Sequence, residues 1–61
     1  MKYTPDVIDG WLQQIADDLN EPLTDWEESF VESVADQWER RRWLSDRQLE
    51  ILERIYAEKT P

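Results

Sequence analysis

The 61 residues contain no cysteine and no histidine, and only one glycine. Without cysteine there is neither a disulfide framework nor a thiolate nucleophile. Without histidine the usual general base near neutral pH is missing too, and the commonest transition-metal ligands go with these two residue types. The single glycine, Gly10, rules out the glycine-rich loops that cradle phosphates, and no alternating acids surround it as a calcium loop requires. The carboxylate pairs Asp17-Asp18 and Glu27-Glu28 are adjacent in sequence. On a helix such neighbours diverge by about 100° and do not converge on one atom. Ser29, Ser33 and Ser45 supply hydroxyls, but no base to activate them. We therefore expect no enzymatic activity, no cofactor and no metal.

Long apolar runs are also missing. No stretch approaches the roughly 20 apolar residues that span a bilayer, and the N-terminus lacks the basic and apolar regions of a signal peptide. The expectation is a cytosolic protein with no membrane partner. A chain of this length makes one domain, residues 1–61, and buries only about 60% of the surface it exposes when unfolded. Large side chains must then supply the core: four Trp, two Tyr and one Phe are available.

Charge is plentiful but one-sided, at −8 overall. Residues 1–36 hold ten acids against the lone base Lys2, whereas residues 37–61 hold five acids against six bases. Such an acidic chain repels the phosphate backbone, whose binding depends on releasing counterions with Lys and Arg. Direct nucleic-acid binding is therefore not expected.

Three amphipathic segments stand out, each with its own start signal. Thr4 can cap a first helix, with Pro5 at its first position and Asp6 favourably placed in the positive first turn. Val7, Ile8, Trp11, Leu12, Ile15 and Leu19 then recur at helical spacing, with Gly10 among them, for which a packing reason beside Trp11 is expected. Asn20 can end this helix, and Glu21-Pro22 prevents its continuation. Thr24-Asp25-Trp26-Glu27 fits a capping box, followed by an apolar stripe of Trp26, Phe30, Val31, Val34, Ala35 and Trp38. Ser45-Asp46-Arg47-Gln48 fits a second box, with Leu44 and Leu49 placed to close a hydrophobic staple. Leu49, Ile51, Leu52, Ile55 and Tyr56 supply the third apolar face, and Glu50 with Arg54 an outer i, i+4 pair. The expected architecture is all-α, a small three-helix bundle with helices at approximately 5–19, 25–42 and 46–58. The ends, Met1-Lys2 and Thr60-Pro61, are expected to fray.

The stretch Trp26-Glu27-x-x-Phe30-Val31, followed by Leu44-Ser45-x-x-Gln48-x-x-x-Leu52-x-x-Ile55-Tyr56, resembles a short helical module of uncharacterised bacterial and phage proteins. It covers roughly the second half of the chain. Its positions are mostly caps and core, so it implies a fold and carries over no functional residue. Leu44 to Leu52 is also similar to the opening helix of helix-turn-helix output domains of the quorum-regulator type. The turn and recognition helix of that family have no counterpart before Pro61, so this similarity implies a capped amphipathic helix.

Arg40-Arg41-Arg42-Trp43 is the segment with most functional promise. Three guanidiniums beside an indole can grip an acidic partner, although cations also gather where a helix ends to complement its dipole, with Asp36 pairing to Arg40. Arg41 falls between Phe30 and Val34 in angle, so either the second helix stops before it or its side chain snorkels across the core edge. Trp11, Trp26 and Trp38 lie on apolar stripes and are expected in the core, whereas Trp43 either packs under its loop or stands as an exposed anchor. The leading expectation is a small bacterial or phage accessory or regulatory protein, acting on a protein partner of unknown identity through Arg41, Arg42 and Trp43, as a monomer or weak homodimer. The alternative is an acidic mimic of DNA that inhibits a DNA-binding protein through the acids of the first two helices.

Overall fold

The computed structural model describes residues 3–61, so the fraying expected of Met1-Lys2 lies outside the described residues. Three helices follow in order, α1 (Pro5–Asp17), α2 (Asp25–Arg41) and α3 (Asp46–Lys59), with no strand among the described residues. The all-α three-helix bundle is thus the observed architecture. Its helices run up, down and up. The start of α2 lies against the end of α3, where Lys59 reaches Glu27, and the end of α2 lies against the start of α3, where Gln37 reaches Gln48.

Both capping boxes form. Glu27 N–H donates to Thr24 Oγ1 at 3.1 Å while Thr24 N–H donates to Glu27 Oε1 at 2.8 Å, and Ser45 and Gln48 exchange the same two bonds at 3.1 and 2.9 Å. Each box satisfies two amides that the helix geometry leaves without partners. Thr4 behaves differently from expectation. It precedes α1 with extended backbone, but its carbonyl rather than its hydroxyl is engaged, accepting from Val7 and Ile8 N–H.

The core is a single cluster of Ile8, Trp11, Ile15, Val34, Trp38, Leu44, Leu49, Leu52 and Ile55. Leu44 and Leu49 are both buried within it, as a staple requires. An aromatic ladder joins α1 to α3. Tyr3 meets Trp11 edge-on with centroids 4.8 Å apart, and Trp11 lies 5.8 Å from Tyr56. Tyr3 Oη donates to Glu53, and Tyr56 Oη to Gln14 Oε1 at 3.3 Å.

Several boundaries differ from the sequence reading. Helix α1 stops at Asp17, so Leu19 leaves its stripe and becomes exposed, and Asn20 lies beyond the helix end. There the loop is stitched to α3 instead: Asn20 and Glu21 N–H both donate to the Lys59 carbonyl, at 2.6 and 3.3 Å. That anchorage extends α3 to Lys59. It also buries Thr60, which does not fray; its N–H and hydroxyl both donate to the Tyr56 carbonyl. Val7 is exposed on the flank of α1. Gly10 is exposed as well, and among the described residues a Cβ built on it would meet nothing within 4 Å beyond its own helix backbone and its chain neighbours Asp9 and Trp11. Glu50 faces Arg47 at 3.7 Å rather than pairing with Arg54.

Candidate functional site

Helix α2 continues through Arg41 and ends at Arg42, whose φ of 52° places it in the left-handed region. Arg42 N–H still donates to the Trp38 carbonyl at 2.9 Å, closing the helix. A non-glycine residue there is strained relative to helical backbone, and its side chain shows what holds it. The guanidinium grips Asp9 of α1 with two parallel bonds, Nη1 to Oδ1 and Nη2 to Oδ2, both 3.0 Å. It also lies over the Trp38 ring, 4.4 Å from the centroid, while Trp38 Nε1 donates to the same Asp9 Oδ1 at 2.7 Å.

This arrangement sets the electrostatics of the α1–α2 junction. The Arg42 bonds, then the Trp38 bond, hold the Asp9 carboxyl below its ordinary value, and Asp9 in turn raises Arg42. Glu27 is lowered too, first by the Thr24 backbone N–H and then by Lys59, which lies 3.7 Å from both Glu27 and Glu21.

Of the three arginines read as a patch, each has a different situation. Arg40 pairs with Asp36 one turn back at 3.3 Å, as expected. Arg42 is committed to Asp9 and Trp38. Arg41 is exposed and is the last residue of α2, so the helix does not stop before it.

Trp43 is 53% exposed although its successor Leu44 is fully buried, which pins the loop and turns the indole outward. A glutamine pair braces the same loop. Gln37 and Gln48 exchange side-chain amide bonds at 3.2 and 3.0 Å, and Gln37 Nε2 also donates to the Trp43 carbonyl at 3.1 Å. Neither Asp9 nor Gln37 was identifiable from sequence. Each is a polar residue on a helix flank whose partner comes from another helix, and no local spacing reports that.

Trp26 overturns the core expectation for its stripe: it is 61% exposed and stacks on Phe30 with centroids 5.3 Å apart and planes 11° from parallel. A signal for this was present. Trp26 stands twelve residues before Trp38, which on a helix separates them by about 120°. Beside Trp26 a groove of about 450 Å³ opens between α2 and α3, walled on the α3 side by Arg47, Ile51, Arg54 and Glu58, with buried Ile55 also lining it.

Among the described residues no cluster of three or more acids could hold a metal ion, and no buried side-chain polar atom lacks a partner. No helix described is long and apolar enough to cross a membrane. What the surface offers is exposed aromatic area beside guanidinium groups. Searches against family models, curated proteins and solved structures gave no match, so the resemblance to a bacterial and phage helical module stands on the quoted residues alone.

Proposed function

We propose that this chain is a small non-enzymatic accessory protein that binds a protein partner through the α2–α3 junction, with Trp43 as the anchor and Arg41 beside it. The observation that carries this reading is the outward-facing indole of Trp43 on a loop braced by Leu44, Gln37 and Gln48. Tryptophan and arginine are the side chains most enriched where binding energy concentrates, and a rigid loop loses little entropy on docking. Arg42 acts in this reading as the brace that fixes the loop's departure from α2, since its guanidinium is held by Asp9.

The test is affinity capture from a lysate of the source organism with the wild-type chain, Trp43→Ala and Arg41→Ala, at low and high salt, with folding checked by circular dichroism. A specific protein that resists salt and is lost with Trp43→Ala supports the reading. Equal retention by folded Trp43→Ala overturns it.

A second reading, an acidic mimic that blocks a DNA-binding protein, is favoured by one specific observation. Asp25, Glu28, Glu32, Asp36 and Glu39 are all exposed on one face of α2. Their spacing of three and four residues makes a continuous ridge of mostly uncompensated charge, carboxylates that disfavour one another along the helix. This reading requires a basic target that DNA displaces and that salt of about 0.5 M releases, because such contacts are heavily screened there.

A further inference from the structure

The outer face of α3 carries a pattern that is its own complement. Arg47, Glu50, Ile51, Arg54, Ala57 and Glu58 recur at helical intervals and share one stripe of the helix. All are exposed except Ile51, which is half-buried. The ridge from Arg47 through Ile51 to Arg54 stands between two grooves. One, of about 450 Å³, separates it from Trp26 on α2, and the other, of about 440 Å³, runs along its far side past Glu50 and Ala57. A ridge beside a groove is the shape on which helices pack against one another.

Charge on this face is close to balanced, whereas that of the whole chain is not. Arg47, Arg54 and Lys59 stand against Glu27, Glu50, Glu53 and Glu58, a net of −1, so −7 of the chain's −8 lies elsewhere. Glu27 is engaged by Thr24 and Lys59, and Glu53 by the Tyr3 hydroxyl, which leaves Glu50 and Glu58 as the carboxylates presented outward. Two molecules of net −8 repel least where such near-neutral faces meet.

The order of the charges selects the occupant. Along α3 the stripe is basic at 47, acidic at 50, basic at 54 and acidic at 58. We propose that the chain forms a two-fold dimer in which the outer face of α3 packs antiparallel on α3 of a second copy. With the axis between residues 52 and 53, Arg47 comes opposite Glu58 of the second copy and Arg54, within one residue, opposite its Glu50. The Arg47–Glu50 pair, 3.7 Å apart, is kept and becomes the middle of a run of alternating charges that the second copy completes at both ends. Symmetry supplies that run twice. Parallel apposition instead sets like charge on like. The two Ile51 side chains straddle the axis, about 4.5 Å apart along the helices. Trp26, 61% exposed, lies at the Glu58 end of its groove because α2 starts where α3 ends, and there it meets Arg47 of the second copy.

Association also answers a need of so small a chain, which has no cysteine to staple a core of nine buried side chains. One helix face covers less than the roughly 800 Å² per partner of a standard interface, so the dimer is weak, dissociating between about 10 µM and 1 mM. It uses a surface other than Trp43 and does not rest on that anchor.

The experiment is sedimentation equilibrium of the full chain over the same concentrations in about 0.15 M salt, with the folding of every variant checked by circular dichroism. The apparent mass should rise from that of one chain toward that of two. An acidic variant, Arg47→Glu with Arg54→Glu, and a basic one, Glu50→Arg with Glu58→Arg, change only exposed positions. Each should self-associate at least about tenfold more weakly, and an equimolar mixture of the two should recover the dimer. The indole N–H resonance of Trp26, assigned through its loss in Trp26→Phe, should move with concentration. Trp43→Ala should leave the dissociation constant unchanged, so the dimer and the Trp43 reading can fail separately. A chain still monomeric at about 1 mM overturns the proposal and leaves this face to a different protein. So does a dimer that survives either charge variant, a mixture that stays monomeric, or a concentration-dependent shift at Trp43 with Trp26 unmoved.

Discussion

Asp9 and Arg42 are joined by two parallel hydrogen bonds of 3.0 Å, and through them the first half of α1 fixes the left-handed residue that ends α2. The pair also orients Trp38, whose indole N–H shares the Asp9 carboxylate. Asp9→Asn keeps the shape but loses the charge and the symmetric acceptor. We expect it to lower the melting temperature at neutral pH and to shift the Trp38 indole resonance, leaving far-ultraviolet helicity intact. An unchanged melting temperature would mean that Arg42 holds its backbone without Asp9.

The same pair has a consequence for acid stability. Asp9 and Glu27 both titrate below their ordinary values of 3.8 and 4.5 in the folded chain. The unfolded chain therefore binds protons first as pH falls, so this contribution is fully present above about pH 5 and is lost as pH falls through the folded values. The acid limb of a stability profile should be shallower in Asp9→Asn and in Glu27→Gln than in the wild type, as urea unfolding at a series of pH values would show.

Gly10 is exposed in α1, and among the described residues nothing beyond its own helix backbone and chain neighbours lies within 4 Å of a built Cβ. Gly10→Ala should accordingly stabilise the chain, by up to about 1 kcal/mol, through helix propensity and a less entropic unfolded state. Thermal unfolding checks this directly. A loss of stability would indicate a neighbour for this position that the monomer lacks.

Leu52 and Trp26 provide a contrast between burial and exposure. Leu52 is fully buried in the central cluster, so Leu52→Ala should cost about 2 to 5 kcal/mol, enough to unfold much of a domain this small. Trp26→Ala removes a larger side chain, yet loses mainly its stacking on Phe30, worth about 1 kcal/mol. Denaturant titration of the two variants should rank them in that order, and acrylamide should quench Trp26 more readily than Trp38.

Thr24 and Ser45 each accept an N3 amide in a reciprocal box. Replacing either by Ala should cost about 1 kcal/mol, and because the two caps lie on different helices the double variant should lose close to the sum. A marked departure from additivity in chemical denaturation would show that the start of α2 and the start of α3 are coupled through the core.

How much was legible in advance depends on how local the cause is. Capping boxes, the period of the apolar stripes and the absence of strand patterning all act within a few residues. The three helices, their starts at Pro5, Asp25 and Asp46, and the core positions Ile8, Ile15, Val34, Leu49, Leu52 and Ile55 therefore followed from the sequence by itself. The placement of Trp43 could not be read in this way. A loop residue packs or protrudes according to what lies beneath it, and here Leu44 fills that space.

Tertiary structure decided the remainder. Helix α1 ends two residues early because the Lys59 carbonyl captures Asn20 and Glu21, and Trp26 is displaced from the core because the hydrophobic cluster is centred on Val34 and Trp38, well around the helix from it. Arg42, one of three like residues in the sequence, is set apart by a carboxylate thirty-three positions away. The sequence by itself determined which segments are helical and which faces are apolar, since backbone capping and side-chain periodicity are properties of neighbours. Whether Trp43 protrudes and why Arg42 differs from its two neighbours was determined only when three helices met, because each depends on a residue brought from another segment.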